Sequence, residues 1–264
     1  MQRGGGMGKI IRKQAGFGLV ELMIALILSL IVVGGLYAAL IGDQKSYEAT
    51  RASHLLVGKN RMSIQTLRLY LQQAGFRDYN QLYQNTLLPL VPNTDAFGFT
   101  WEEGQMVQGI DNRGTFTDAK AGTDVVGIRF YGAAAPNASI YKCDGEVLAA
   151  DTVTTIIFYI STSNQLMCRD SSGNTIFDED MDNLQLLYGS VDDTTFKYYK
   201  ANEVPDWNLV NRVKVGLLVS QEVSMGNLSN TKSYNVLDQT IAAANDKRLR
   251  QVVNETILLL NQGS

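Results

Sequence analysis

Glu21 is the only side chain charged at neutral pH in FGLVELMIALILSLIVVGGLYAALIG, the stretch from Phe17 to Gly42. A carboxylate inside so apolar a segment is costly unless paired, so such a residue usually has a function. Other candidates for chemistry are sparse. His54 is the one histidine, which removes most imidazole catalysis and most transition-metal sites. It falls in a predicted helix, where a solvated or pairing role is expected. The two cysteines, Cys143 and Cys168, fit neither a CxxC motif nor a zinc pattern. Asp178, Asp180 and Asp182 resemble the start of a calcium loop, but the positions that need Gly and Glu hold Asn183 and Gly189. A solvated acidic turn before a strand is the expectation there, and Asp192-Asp193 is an equally weak signal. No serine lies in a GxSxG elbow, and Gly4-Gly5-Gly6 follows no strand, so it makes no phosphate loop. The chain is therefore expected to have no catalytic residue, no metal and no cofactor.

Charge divides the chain unevenly. The first sixteen residues carry Arg3, Lys9, Arg12 and Lys13 and no acid. Of 23 Lys and Arg in all, the remainder keeps 19 against 26 Asp and Glu, a net of −7. So acidic a body is a poor partner for nucleic acid, which needs basic patches. A hydrophobic content of 45% with 19% charged residues describes a folded, globular remainder. The apolar stretch exceeds the roughly 20 residues that span a bilayer as a helix. Asp43-Gln44-Lys45 follows it directly, with no small-x-small cleavage site. The basic flank predicts a cytoplasmic N-terminus and an exported body in a single-pass protein of the inner membrane. In an oxidising compartment the two cysteines suit one disulfide, contributing about 3 kcal/mol by loop closure. Two buried free thiols are the alternative.

Gly16-Phe17-Gly18-Leu19-Val20-Glu21-Leu22-Met23-Ile24 resembles the class III signal of type IV pilins and pseudopilins. That family has a basic leader ending in Gly, then Phe, and Glu at mature position five. Gly18 departs from the commonest pattern, where Thr is frequent. The resemblance implies that a prepilin peptidase cuts after Gly16 and methylates the new amine of Phe17. It also implies that Glu21 pairs with the N-terminal amine of a neighbouring subunit, setting registry in a polymer. A Glu that only answers its own helix dipole is the plainer reading. Gly34 and Gly35 cost the helix about 2 kcal/mol of propensity together. By the resemblance they mark a weak point that loses helicity in the filament, with close helix packing as the alternative.

No proline interrupts the chain between Phe17 and Thr86, and Gly75 is the natural stop. One helix of nearly 60 residues, about 87 Å long, is expected. Ile64, Leu67, Leu71 and Ala74 form its apolar face, and Arg51, Lys59, Arg61 and Arg68 fall outside that face. Strands follow. Val126, Ile128 and Phe130 alternate, as do Ile156, Phe158 and Ile160, then Leu184, Leu186 and Tyr188, then Val213, Val215, Leu217 and Val219. Residues 153–177 read as a pair of hairpins, with Cys168 on or near a strand and Cys143 in the preceding loop. Thr256 to Leu260 reads as a last strand buried on both faces. Segments 189–208 and 225–248 read as long surface loops, the latter with a short helix at 238–244. Phe196, Tyr198, Tyr199 and Trp207 are expected to pack in core or loop, or to form a partner-contact surface.

The phrases Met181 to Gly189 and Asp246 to Val253 are similar to the larger minor pilins of the PilW type and to J-type minor pseudopilins of type II secretion. Many such heads hold more cysteines, some with one where this chain has Asp78, so their disulfide layout does not transfer. The expected fold is α+β, a long pilin-like helix with a transmembrane first half, packed on a β-sheet-rich head. The expected parts are a leader (1–16), a transmembrane and assembly segment (17–42), an amphipathic half-helix (43–75) and an exported head (76–264). Either Met1 or Met7 serves as the start. The resemblance implies a non-enzymatic minor pilin that primes pilus assembly and ends in a tip complex. Its implied partners are other minor pilins, the major pilin, the prepilin peptidase, the inner-membrane assembly platform and a tip adhesin. A head this bulky packs poorly along a tightly wound fibre, which favours minor over major status. The alternatives are a minor pseudopilin of a type II secretion system and a membrane-anchored periplasmic ligand-binding domain.

Overall fold

The structure, a computed structural model, describes residues 16, 18–78, 90–133, 140–150, 152–192, 195–223, 231–242 and 244–261. Phe17, Met1, Met7 and the rest of the leader before Gly16 lie outside them. The chain divides into two compact units, Met1–Tyr47 and Glu48–Ser264.

Helix α1 (Leu19–Gln73) begins in the first unit and is slightly shorter than the sequence suggests. It is the one helix among the described residues long and apolar enough to cross a membrane. From Leu19 to Leu40 its large apolar side chains are all more than half exposed. A surface so apolar is stable only in lipid or against other apolar helices. Gly34 and Gly35 lie within continuous helix, with open space where a Cβ would stand.

In the second unit the helix turns amphipathic. Ala52, Leu56, Asn60, Ser63, Ile64, Leu67 and Leu71 are buried, at the three- and four-residue spacing of one helix face. Gly75 ends the run in the left-handed region (φ +74°), and its N–H donates to the Arg129 carbonyl at 2.8 Å. Two antiparallel sheets carry the head. The first orders β3 (Val107–Ile110), β4 (Val125–Tyr131), β5 (Val153–Ile160), β6 (Gln165–Asp170) and β7 (Gly173–Glu179) in sequence. The second orders β13 (Arg248–Leu258), β10 (Val210–Glu222), β8 (Met181–Asp192) and β9 (Thr195–Tyr199). Two small hairpins add β1 (Asn93–Thr94) to β2 (Thr100–Trp101), and β11 (Ser233–Val236) to β12 (Gln239–Ala242).

One apolar core joins Ile64, Leu67 and Leu71 of the helix to Ile128 and Phe158 of the first sheet and Val215 and Leu217 of the second. Tyr70 adds ring contacts to Phe158 and Phe177, both with centroids 5.4 Å apart. A smaller core, including Phe99, Trp101, Ile157 and Tyr159, forms separately. Arg129 organises its rim. Its guanidinium is buried beside the Trp101 ring and donates to the carbonyls of Val91, Glu102 and Gln105. Burial pushes its pKa down to about 10, and carbonyl acceptors replace the lost water.

Cys143 and Cys168 are joined by a disulfide, with Cα atoms 5.6 Å apart. The bond ties the loop before β5 to β6, and the buried Asp170 carboxylate accepts the Cys143 N–H at 2.9 Å.

Four expectations need correction. The last strand is not buried on both faces. Only one face of β13 meets the core, so Ile257 and Leu259 are buried while Leu258 and Leu260 are exposed. It also begins earlier, at Arg248, where pairing with Glu222 of β10 opens an unbroken ladder. Within 189–208, the described residues are the end of β8, strand β9 and two short 3₁₀ turns rather than a long loop. Within 225–248 they include the β11–β12 hairpin, and 239–242 is strand where a short helix was expected. Leu237, in the left-handed region (φ +51°), makes that tight turn. The acidic turn is the fourth, its aspartates paired rather than solvated.

Candidate assembly site

The start of α1 explains part of what Glu21 does in a single chain. Gly18 is the residue before the first helical turn, and Glu21 stands three residues later. Its Oε2 accepts the Gly18 N–H at 3.1 Å, while the Gly18 carbonyl accepts the Leu22 N–H at 3.2 Å. This is the reciprocal half of a capping box. It satisfies one of the N–H groups that a helix start leaves open and places negative charge at the positive end of the dipole. Gly16 has open space around it. The scissile bond expected after Gly16 and the methylation expected at Phe17 involve a residue outside the described ones.

In the head, the three aspartates expected to make a solvated turn instead clamp three elements. Asp178 Oδ2 accepts from Ser63 Oγ at 2.5 Å, and Asp180 pairs with Lys59 Nζ at 2.5 Å, so two helix residues meet the β7–β8 turn. Asp180 also pairs with Arg248, and Asp182 with Arg250 Nε at 2.5 Å, so β13 meets the same turn. Arg250 forks onto both oxygens of Asp246 at 2.7 and 2.6 Å. That fork, joined by Asp182, holds the Arg250 pKa above its ordinary value, and the same guanidinium holds the Asp246 carboxyl below its own. Each of these carboxylates thus has a hydroxyl or a cation as its partner. Among the described residues no group of His, Cys, Asp or Glu could hold a metal ion. His54 is exposed on the helix.

The aromatic group separates into two. Trp207 packs edge-on against the fully buried Tyr188, with centroids 4.8 Å apart, and Tyr199 is half-buried. Phe196 and Tyr198 are instead exposed on the edge strand β9. Sequence reasoning did not find their partners, Arg212 and Lys214 on β10. The Arg212 guanidinium lies 4.3 Å from the Phe196 centroid, and Lys214 Nζ lies 5.6 Å from that of Tyr198. Alternation of Arg212 and Lys214 with Val213 and Val215 was the available signal.

Two family models match this chain. That of the prokaryotic N-terminal methylation motif covers residues 11–37. That of the type IV pilus-assembly protein W family covers residues 157–261, from β5 to the end of the described head. Among solved structures, the chain is similar to a type IV-like pilin from Thermus thermophilus. That match has 14% identity and a TM-score of 0.48, over 79% of this chain and 99% of that one. No curated protein matches.

Proposed function

We propose that this chain, a type IV pilin-like prepilin, works as a minor pilin that helps prime a type IV pilus and stays at its tip. Pilins are structural, non-enzymatic subunits, processed by prepilin peptidase and assembled with other pilins. The observation that carries the proposal is the setting of Glu21. It lies in the first turn of an unburied apolar helix, inside a methylation-motif match, and the head matches a pilus-assembly family. That family's name favours a pilus over a secretion pseudopilus.

In this reading the peptidase cuts between Gly16 and Phe17 and methylates Phe17. Leu19 to Leu40 hold the subunit in the inner membrane with the head in the periplasm, then enter the filament core. Glu21 gives up its bond to Gly18 and accepts the terminal amine of a neighbour. Burying an unpaired carboxylate costs more than a good pair returns, so the pairing acts on registry more than on stability. Gly34 and Gly35 are the point where the helix yields on leaving the bilayer. The assembly platform and a tip adhesin complete the set of partners.

The test is a Glu21→Ala variant in cells that make the fibre. Cleaved protein should accumulate in the membrane while the fibres shed by shearing become fewer and lack the subunit. Normal incorporation of the variant would remove the assembly role.

A further inference from the structure

We propose that the outer face of the second sheet, around Arg212 and Tyr198, docks an acidic segment on the head of a different pilin-type subunit. The inference rests on the assembly role above and names the surface that serves it.

A single cross-strand row runs over all four strands of that sheet. Leu258 of β13 pairs with Arg212 of β10, Arg212 with Gly189 of β8, and Gly189 with Tyr198 of β9. Directly paired residues point to the same face, so Leu258, Arg212 and Tyr198 share one surface. Val191 pairs with Phe196 one step along it. Val191, Phe196 and Tyr198 are 37–41% exposed and lie together on β8 and β9, with Leu258, 49% exposed, beyond Arg212 on the far strand.

The patch is built rather than incidental. Gly189 interrupts a strand of twelve residues, where glycine is unfavourable. A Cβ there would lie 2.6 Å from Arg212 Cγ and 2.7 Å from Phe196 Cζ, so the glycine is what lets the cation and the ring lie flat. Phe196 and Tyr198 then pack edge to face at 5.0 Å. The aromatic and guanidinium groups are thus held in place before any partner arrives, and these are the side chains that dominate interface energetics.

Charge selects the occupant. Arg248 and Arg250 on β13, and Lys200 just after β9, each pair with a carboxylate. Arg212 and Lys214 pair with none among the described residues; Arg212 donates only to the Asn211 side chain, at 3.0 Å. Two cations without carboxylates, seated on aromatic rings in an otherwise acidic protein, fit a partner that supplies carboxylates beside an apolar anchor. Two copies meeting face to face here would bring Arg212 and Lys214 against themselves, and like charges so placed disfavour a homodimer.

The test places a photo-crosslinking amino acid at Tyr198 of the full-length chain in fibre-forming cells, with Tyr141 as an exposed control. Adducts should form from position 198 and not from 141, and should map to a carboxylate-bearing segment of another pilin-type head. Arg212→Glu with Lys214→Glu should lower the yield by about tenfold or more, and Arg212→Lys should largely retain it. The Arg212→Gln, Lys214→Gln pair guards against a folding defect, read by disulfide formation and thermal stability. No adduct, an adduct indifferent to charge reversal, or one mapping to a second copy, to lipid or to polysaccharide overturns the proposal. Methylated Phe17 and fibre yield are measured in the same cells. Their loss would count against the minor-pilin reading itself, and their presence without the adduct against this surface alone.

Discussion

The side-chain amide of Asn261 donates to the carbonyl of Ala74 at 3.0 Å, across a sequence separation of 187 residues. The same amide reaches the Gln72 carbonyl at 3.1 Å. Helix ends leave carbonyls open, and here the last described residue of the chain closes two of them. Asn261→Ala is expected to cost about 1–2 kcal/mol. A thermal or urea melt measures this, and hydrogen exchange should show the loosening in the last turn of α1.

Asn60 makes the opposite case. It is 5% exposed on the buried face of α1, and among the described residues neither its Oδ1 nor its Nδ2 has a hydrogen-bond partner. A buried amide without partners carries its full desolvation cost. Asn60→Leu, which keeps the same branched shape, should therefore stabilise the head by about 1 kcal/mol. A midpoint below that of the unmodified protein would contradict this.

These residues show why the sequence was only partly legible. The Ile64–Leu67–Leu71 face, the Gly75 stop and the strands around Phe158 and Val215 are written in local periodicity, and they stand where that periodicity puts them. The aspartates of the β7–β8 turn were misread because their partners are remote. Asp180 meets Lys59 from 121 positions away and Arg248 from 68. Strand β9 was misread because Asp192-Asp193 looks like a loop when the strand beside it is unknown. The end of β13 was misread because Leu258, Leu259 and Leu260 look uniformly buried until the packing shows that one face alone meets the core. In the apolar segment the composition was local, and the helix is where it points. The capping bond from Gly18 to Glu21 depends on where the helix begins, which composition does not fix.

Asp124 gives the head a pH dependence. Its carboxylate bridges the sheets, accepting the Asn112 N–H at 2.9 Å and the Leu186 N–H at 2.8 Å. Burial outweighs those two bonds and pushes its pKa up to about 7. With the folded value above the unfolded one, the unfolded chain releases this proton first. The group's contribution is therefore full below pH about 4 and is lost as pH rises to about 7. Asp124→Asn removes the titration and with it that loss, at the cost of one of the two bonds, because the amide has a single accepting oxygen. The melting temperature of the variant minus that of the unmodified protein should rise between pH 4 and 7 and then level off.

The disulfide should matter for stability and not for assembly chemistry. Replacing Cys143 and Cys168 together by Ser should cost about 3 kcal/mol, the loop-closure contribution of a bridge of this span. A denaturant melt of the oxidised protein against the double variant tests the size. Cleavage at Gly16 should be unchanged.

The central claim is that the Gly16–Phe17 junction makes this chain a processed, polymerising subunit. Mass spectrometry of the N-terminus of protein taken from sheared fibres tests it most directly. The account predicts a chain that begins at Phe17 with one methyl group on its amine. A chain that retains its basic leader, or begins elsewhere with an unmodified amine, would contradict it.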